Sequence, residues 1–392
     1  MRCVLAIVVS AACATPAPPP ASPANATAAA KEPAASPASR TTWVLEPNLA
    51  YDSLCFLNLL TGDPFYLQMG YAEELAPWIA RLSPAMREAI ARIRTQLKAA
   101  DHLVSAYLTL VMSAADPRTL ADLRHIVEDD AAWAQLRQRF AATPYAKDDD
   151  FSAMTAIRGD LAVALRELDA AGFADYWRTH ALPAVQAAID AQLPAARSYD
   201  VIGADEQLLG RKLDTDRITV EVLAYVRPHG VRITGWRFLS DAKVPLKITV
   251  KTALHELLHP PFTRTGALDE LLQRIEQDPL FQRLVHEHDP SFGYTTPAGL
   301  LEEDCVTAID VYNAHRMGLM PDIAGYFPAH DDGIHVVAFL LYQLLGREHR
   351  PGERYEDFLL RLARDHKLRP GALEAQFLAE PTHYAIKALQ PR

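Results

Sequence analysis

The sequence predicts an α+β fold, mainly helical, with one small β-sheet. Three observations carry that expectation. Apolar residues recur at helical spacing from Asn48 to about Leu193, a stretch near Ile218 switches to period two, and helical spacing returns from Pro245 onward. At 392 residues, 49% of them hydrophobic and 22% charged, the chain can bury a sizeable core in one large unit or two subdomains.

The chain opens on Met1–Ala12, where one charge at Arg2 precedes an apolar run from Val4 to Val9 and then small residues, the plan of a short secretory signal. Ser10-Ala11-Ala12-Cys13 resembles the lipobox of bacterial lipoproteins, which implies lipidation at Cys13. Cleavage after Ala14, or a start codon placed too early, are the other readings. Residues 14–41 are almost wholly Ala, Pro, Ser, Thr and Asn. Nothing large and apolar is there to offset the entropy of ordering, so a disordered linker is expected.

The helical half, residues 42–205, carries recognisable boundaries. Ser83 reads as an N-cap with Pro84 in the first helical position. Asp116-Pro117-Arg118-Thr119 separates two helices, the second running through Leu120, Leu123 and Ile126. Further helices are expected over 129–140, 149–170 and 174–193. Trp78, Tyr107 and Trp133 in this half read as core.

In the second half, residues 206–392, Ile218, Val220, Val222, Ala224 and Val226 alternate with their neighbours as in a strand. Arg227-Pro228-His229-Gly230 reads as a turn, and Val231 to Phe238 as the return strand of a hairpin. An edge strand placed there could align an extended peptide by main-chain hydrogen bonds.

Directly after it comes Thr252-Ala253-Leu254-His255-Glu256-Leu257-Leu258-His259, a helical run containing H-E-x-x-H. Histidines four apart share a helix face and can reach one Zn2+, with the intervening glutamate beside the water to be activated. With fourteen histidines in the chain, a chance match has a probability of only about 3%, so the motif bears weight. Pro245 suits the helix start, and Pro260-Pro261 ends the helix just past His259.

Two histidines leave the metal short of a third ligand. Thr265 stands where the pattern H-E-x-x-H-x-x-G-x-x-H would need its last histidine, so that arrangement is excluded. Ala298 to Asp310 reads instead as a helix carrying adjacent acids, Glu302 and Glu303. Glu302 shares a face with Val306 and Ile309, and Glu303 with Thr307 and Asp310. Either can serve.

H-E-L-L-H at 255–259 and A-G-L-L-E-E at 298–303 together resemble the gluzincin zinc metallopeptidases, the group of thermolysin and the zinc aminopeptidases. That resemblance implies a zincin-like fold with the small β-sheet next to the H-E-x-x-H helix. It implies His255, His259 and Glu303 as Zn2+ ligands, with Glu302 at an asparagine position. Glu256 would then be the general base for metal-activated water. Thr307 stands where those enzymes have an aspartate that orients a ligand histidine, so that support must be built differently. Tyr294, Tyr326, His335, His383 and Tyr384 lie downstream as donors to a developing oxyanion.

Two other clusters stand out. His286-Glu287-His288-Asp289 has histidines two apart that could bind a metal from an extended segment, and otherwise reads as the solvated end of a helix. His330-Asp331-Asp332-Gly333 reads as a loop and N-cap before an apolar helix, with a functional role as the other reading. Cys55 and Cys305, the cysteines beyond the signal, are too few for a disulfide scaffold. The net charge of −10 argues against a nucleic-acid partner. The reading is an exported zinc-dependent hydrolase, a peptidase acting on a peptide or protein and touching a membrane only through Cys13, in the periplasm or outer membrane. A non-peptidic amide hydrolase and a non-enzymatic helical lipoprotein are the alternatives, and oligomeric state stays open.

Overall fold

The computed structural model describes residues 39–390 apart from 68, 101, 148–150, 228, 260–261, 263, 290–291 and 293, together with the backbone of residues 7–8. The remainder of the expected signal, Cys13 included, and the expected linker up to residue 38 lie outside the described residues. So do Pro260 and Pro261. From residue 40 the chain is already engaged, since the Arg40 guanidinium meets Glu206 at 3.1 Å and Thr41 Oγ1 donates to Asp200 at 2.9 Å.

The fold is α+β and mainly helical, with a small mixed sheet, as the sequence predicts. The strands are β1 (Ile7–Val8), β2 (Thr42–Pro47), β3 (Arg217–Leu223), β4 (His229–Ile233) and β5 (Arg237–Asp241), in the order β1-β4-β5-β3-β2. β3 pairs in parallel with β2 and β5, and β4 runs antiparallel to β5. β1 is a two-residue antiparallel pairing against Gly230 and His229.

This topology corrects the expected hairpin. β3 and the following strand do not pair; the hairpin is β4–β5, closed by Thr234-Gly235-Trp236 with Gly235 at φ 78°. The reason lies in Asp52. Its carboxylate accepts the backbone N–H of Ala224 at 2.9 Å and of Tyr225 at 3.0 Å, which ends β3 early and turns the chain away. β2 carries Trp43 and Leu45 into the core and was not foreseen as a strand.

Both faces of the sheet are covered. Ile218, Val220, Val222 and Phe238 belong to one core, shared with the helices from residue 182 onward, while Leu223, Val231, Ile233 and Leu239 belong to a second core built by the helical first half. Alternation along each strand therefore feeds two cores at once, and each fully buried Leu, Val, Ile or Phe contributes about 1.5–3 kcal/mol.

The foreseen helix boundaries hold at several points. Ser83 caps Pro84–Ala99 by accepting from Met86 N–H at 3.0 Å, and Thr119 opens Leu120–Glu128 with a reciprocal capping box through Asp122. Cys55 and Cys305 are free and buried, one in each core. No helix among the described residues is long and apolar enough to cross a membrane.

Candidate metal centre

The H-E-x-x-H segment forms a helix over Leu246–Glu256, with Pro245 at the N-cap rather than inside the first turn. Leu257, Leu258 and His259 continue it as a hydrogen-bonded turn, Leu258 N–H donating to His255 O at 3.0 Å. Val250, Ala253, Leu254, Leu257 and Leu258 are fully buried, so the helix is sunk in the core and its histidines go with it. The sheet lies against this helix. Arg232 of β4 donates from Nη1 to the Glu256 carbonyl at 2.6 Å and from Nη2 to Gly235 O at 2.7 Å, tying the helix end to the strand.

The second helix of the site, Pro297–Arg316, starts at Thr296, whose hydroxyl accepts from Gly299 N–H at 3.1 Å, with Pro297 in the first position. Glu303 is buried at 2% exposure. Its Oε1 lies 3.2 Å from His255 Nε2, its Oε2 lies 3.7 Å from His259 Nε2, and the two Nε2 atoms are 3.0 Å apart. One ligand atom from each residue therefore converges within 4.8 Å, a donor set able to hold a metal ion. Of the adjacent acids, the structure brings Glu303 to the histidines, and Glu302 is only half-buried.

Asp310 completes the support. Its Oδ2 stands 2.5 Å from His255 Nδ1 and 3.4 Å from Lys251 Nζ. An imidazole that donates through Nδ1 presents its Nε2 lone pair toward Glu303 and His259, which is the ligand tautomer. Thr307 donates from Oγ1 to Glu303 Oε1 at 3.4 Å. Sequence reasoning set Glu303, Thr307 and Asp310 on one face without giving Asp310 a role. The spacing was the signal.

The charges fit this arrangement. Burial works against a charged His255, but the Glu303 carboxylate and the Asp310 hydrogen bond outweigh it and raise the imidazole to about 10. Burial, joined by the His255 charge, lowers His259 to about 3, leaving it neutral. Burial pushes Glu303 upward, yet the His255 charge and hydrogen bond hold it well below the usual carboxylate range. Glu256 is 1% exposed, its Oε2 has no hydrogen-bond partner, and burial raises its carboxyl to about 7.

Of the other foreseen residues, His335 lies near enough to Glu303 for its charge to act there, its Nδ1 is 2.7 Å from Asp304 Oδ1, and Tyr294 stands edge-on to its ring at 5.3 Å. Burial, with the Glu303 charge next, raises Tyr294 well above the ordinary phenol value. Lys251 Nζ sits 5.2 Å over the Tyr326 ring. His383 is exposed and bonds Glu380 O, and Tyr384 donates to Gly333 O at 3.3 Å. In the 286–289 cluster, His286 and Glu287 are exposed and His288 Nδ1 is spent on Leu284 O at 2.9 Å. No protein-family model, curated protein or solved structure matches this chain.

Proposed function

We propose that this protein is a zinc-dependent hydrolase of gluzincin type, most specifically a peptidase, with His255, His259 and Glu303 as ligands and Glu256 as general base. The single observation that carries the reading is the convergence of two imidazole nitrogens and one carboxylate, with the buried Glu256 next to His255 in the chain and its Oε2 without a hydrogen-bond partner. Zn2+, when bound, supplies Lewis acidity toward a carbonyl and makes water a nucleophile near neutral pH.

The remaining work falls to the chain's own side chains. Glu256, with its carboxyl raised to about 7, accepts the proton of the attacking water and hands it to the leaving amine. Asp310 holds His255 in one tautomer, and Arg232 fixes the Glu256 backbone, so the base is placed before substrate arrives. β4 supports a peptide as substrate. It is antiparallel to its neighbour, it is fastened to the motif helix through Arg232, and its far side already takes an extended backbone at Gly230 and His229. Export and lipid attachment at Cys13 belong to the same proposal, and a protein tethered outside the cytoplasm would meet peptides or proteins there.

The test is zinc content together with hydrolysis of a quenched-fluorescent peptide mixture. Glu256→Gln keeps stoichiometric zinc and loses hydrolysis, while His255→Ala loses both. Zinc-loaded protein that hydrolyses simple amides but no peptide would favour a non-peptidic substrate. Protein that neither purifies with zinc nor takes it up would remove the enzyme reading.

A further inference from the structure

A second group of ligand types lies on the turn that follows the metal-centre helices. We infer that His330, Asp331 and His335 form a second binding site for a divalent ion of the Zn2+ class, distinct from the one at His255. Their ligand atoms lie within 4.8 Å of one another. His335 Nε2 is 3.2 Å from Asp331 Oδ2, and His330 Nε2 is 3.9 Å from the same oxygen.

The plan repeats that of the first centre. Asp304 Oδ1 stands 2.7 Å from His335 Nδ1, as Asp310 stands at His255, so an Nδ1–H donor leaves Nε2 turned toward Asp331. Asp304 is itself fixed, its Oδ2 accepting Val337 N–H at 3.2 Å. Glu303 and Asp304 are consecutive on one helix, which therefore supplies a ligand to the first centre and the orienting carboxylate of the second.

One observation beside the convergence of ligand atoms points to an occupant. Asp331 is 3% exposed and its Oδ1 has no hydrogen-bond partner, a buried oxygen that a cation would satisfy. The turn presents it through Asp331 (φ 44°, ψ 48°) and Asp332 (φ 56°, ψ 23°), both in the left-handed conformation that aspartate adopts more readily than most residues. This turn sets His330 and His335 with their rings stacked at 4.8 Å. Two imidazoles and one carboxylate select a first-row transition ion over Mg2+ or Ca2+, which prefer oxygen alone. His335 is fully enclosed, and the ion would tie His330 and Asp331 of the turn to His335, which Asp304 of the Pro297–Arg316 helix holds in turn.

The test is zinc stoichiometry by mass spectrometry after dialysis of the full chain against Zn2+, with circular dichroism to verify folding. Wild type is expected to hold two ions per chain. His255→Gln/His259→Gln keeps one, His330→Gln/Asp331→Asn keeps one, and the combined variant keeps none. The inference is overturned if His255→Gln/His259→Gln holds no zinc, or if His330→Gln/Asp331→Asn binds as much as wild type. Should the second variant not fold, cobalt substitution of His255→Gln/His259→Gln decides, because a visible absorption band is expected and its absence overturns the site. Retention of two ions by His255→Gln/His259→Gln would strike the first centre instead.

Discussion

Asp310 and His255 face each other across two helices, Oδ2 to Nδ1 at 2.5 Å and 55 positions apart in sequence. In the proposed gluzincin reading, this contact takes the part of the aspartate absent at position 307. One turn further along the same helix face, Asp310 reaches His255, and Thr307 donates to Glu303. Losing such an orienting carboxylate weakens metal binding by about 10–100-fold. Asp310→Asn is therefore expected to lower zinc affinity by about that factor, read by competition with a chromogenic chelator. An unchanged affinity would remove the orienting role.

Glu303 and Glu302 are consecutive, so swapping one carboxylate for an amide at each position separates ligand from neighbour. Glu303→Gln is expected to lose stoichiometric zinc, since its oxygens are the ones 3.2 and 3.7 Å from the two Nε2 atoms. Glu302→Gln, altering a half-buried side chain, is expected to keep it. The reverse pattern in metal analysis would reassign the third ligand.

The candidate site was legible where its residues sit close in sequence and obscure where they do not. H-E-L-L-H announces itself through helical spacing, and A-G-L-L-E-E through a helix start bearing acids. The carboxylates that orient histidines are different. Asp304 meets His335 across 31 positions and Asp310 meets His255 across 55, and no local periodicity records such pairings. The sheet shows the same division. Alternation exposed β3, but its partners were set by Asp52, a buried helix residue that takes up the Ala224 and Tyr225 N–H groups and so forbids the hairpin that local pattern suggested. β2, six residues against a helical background, left too short a period to read.

Stability of the zinc-free protein should depend on pH through His255 and Glu303. Without metal the His255 imidazole is raised above its ordinary 6.5, mainly by the Glu303 charge and the Asp310 bond overcoming burial. Its contribution is fully present below pH 6.5 and is lost as pH rises through about 10. Glu303 is lowered from its ordinary 4.5, so its contribution is present above that value and is lost as pH falls. The pair therefore stabilises most between pH 4.5 and 6.5. Thermal melts of chelator-treated wild type and Glu303→Gln are expected to differ most in that window, with the gap closing toward alkaline pH. A gap independent of pH would show that the two groups do not exchange charge as described.

The approach of β4 to the motif helix sets a last, sharper expectation. A Cβ built on Gly230 would stand 2.7 Å from Thr252 Cγ2, closer than real carbon atoms approach, while Thr252 Oγ1 would be 3.4 Å away. Glycine is needed here for proximity, because it lets the strand close on the helix that bears His255. Gly230→Ala must push the strand outward and with it Arg232, whose Nη1 holds the Glu256 carbonyl at 2.6 Å. Overpacking of this kind costs about 1–3 kcal/mol. Thr252→Ser removes the offending methyl while leaving the helix unchanged. In a double-mutant cycle, Gly230→Ala alone is expected to lose stability by that amount and to lower hydrolysis, and Gly230→Ala/Thr252→Ser to recover most of both. Additive losses in urea denaturation would mean that the strand and the helix are not in the contact that seats Glu256.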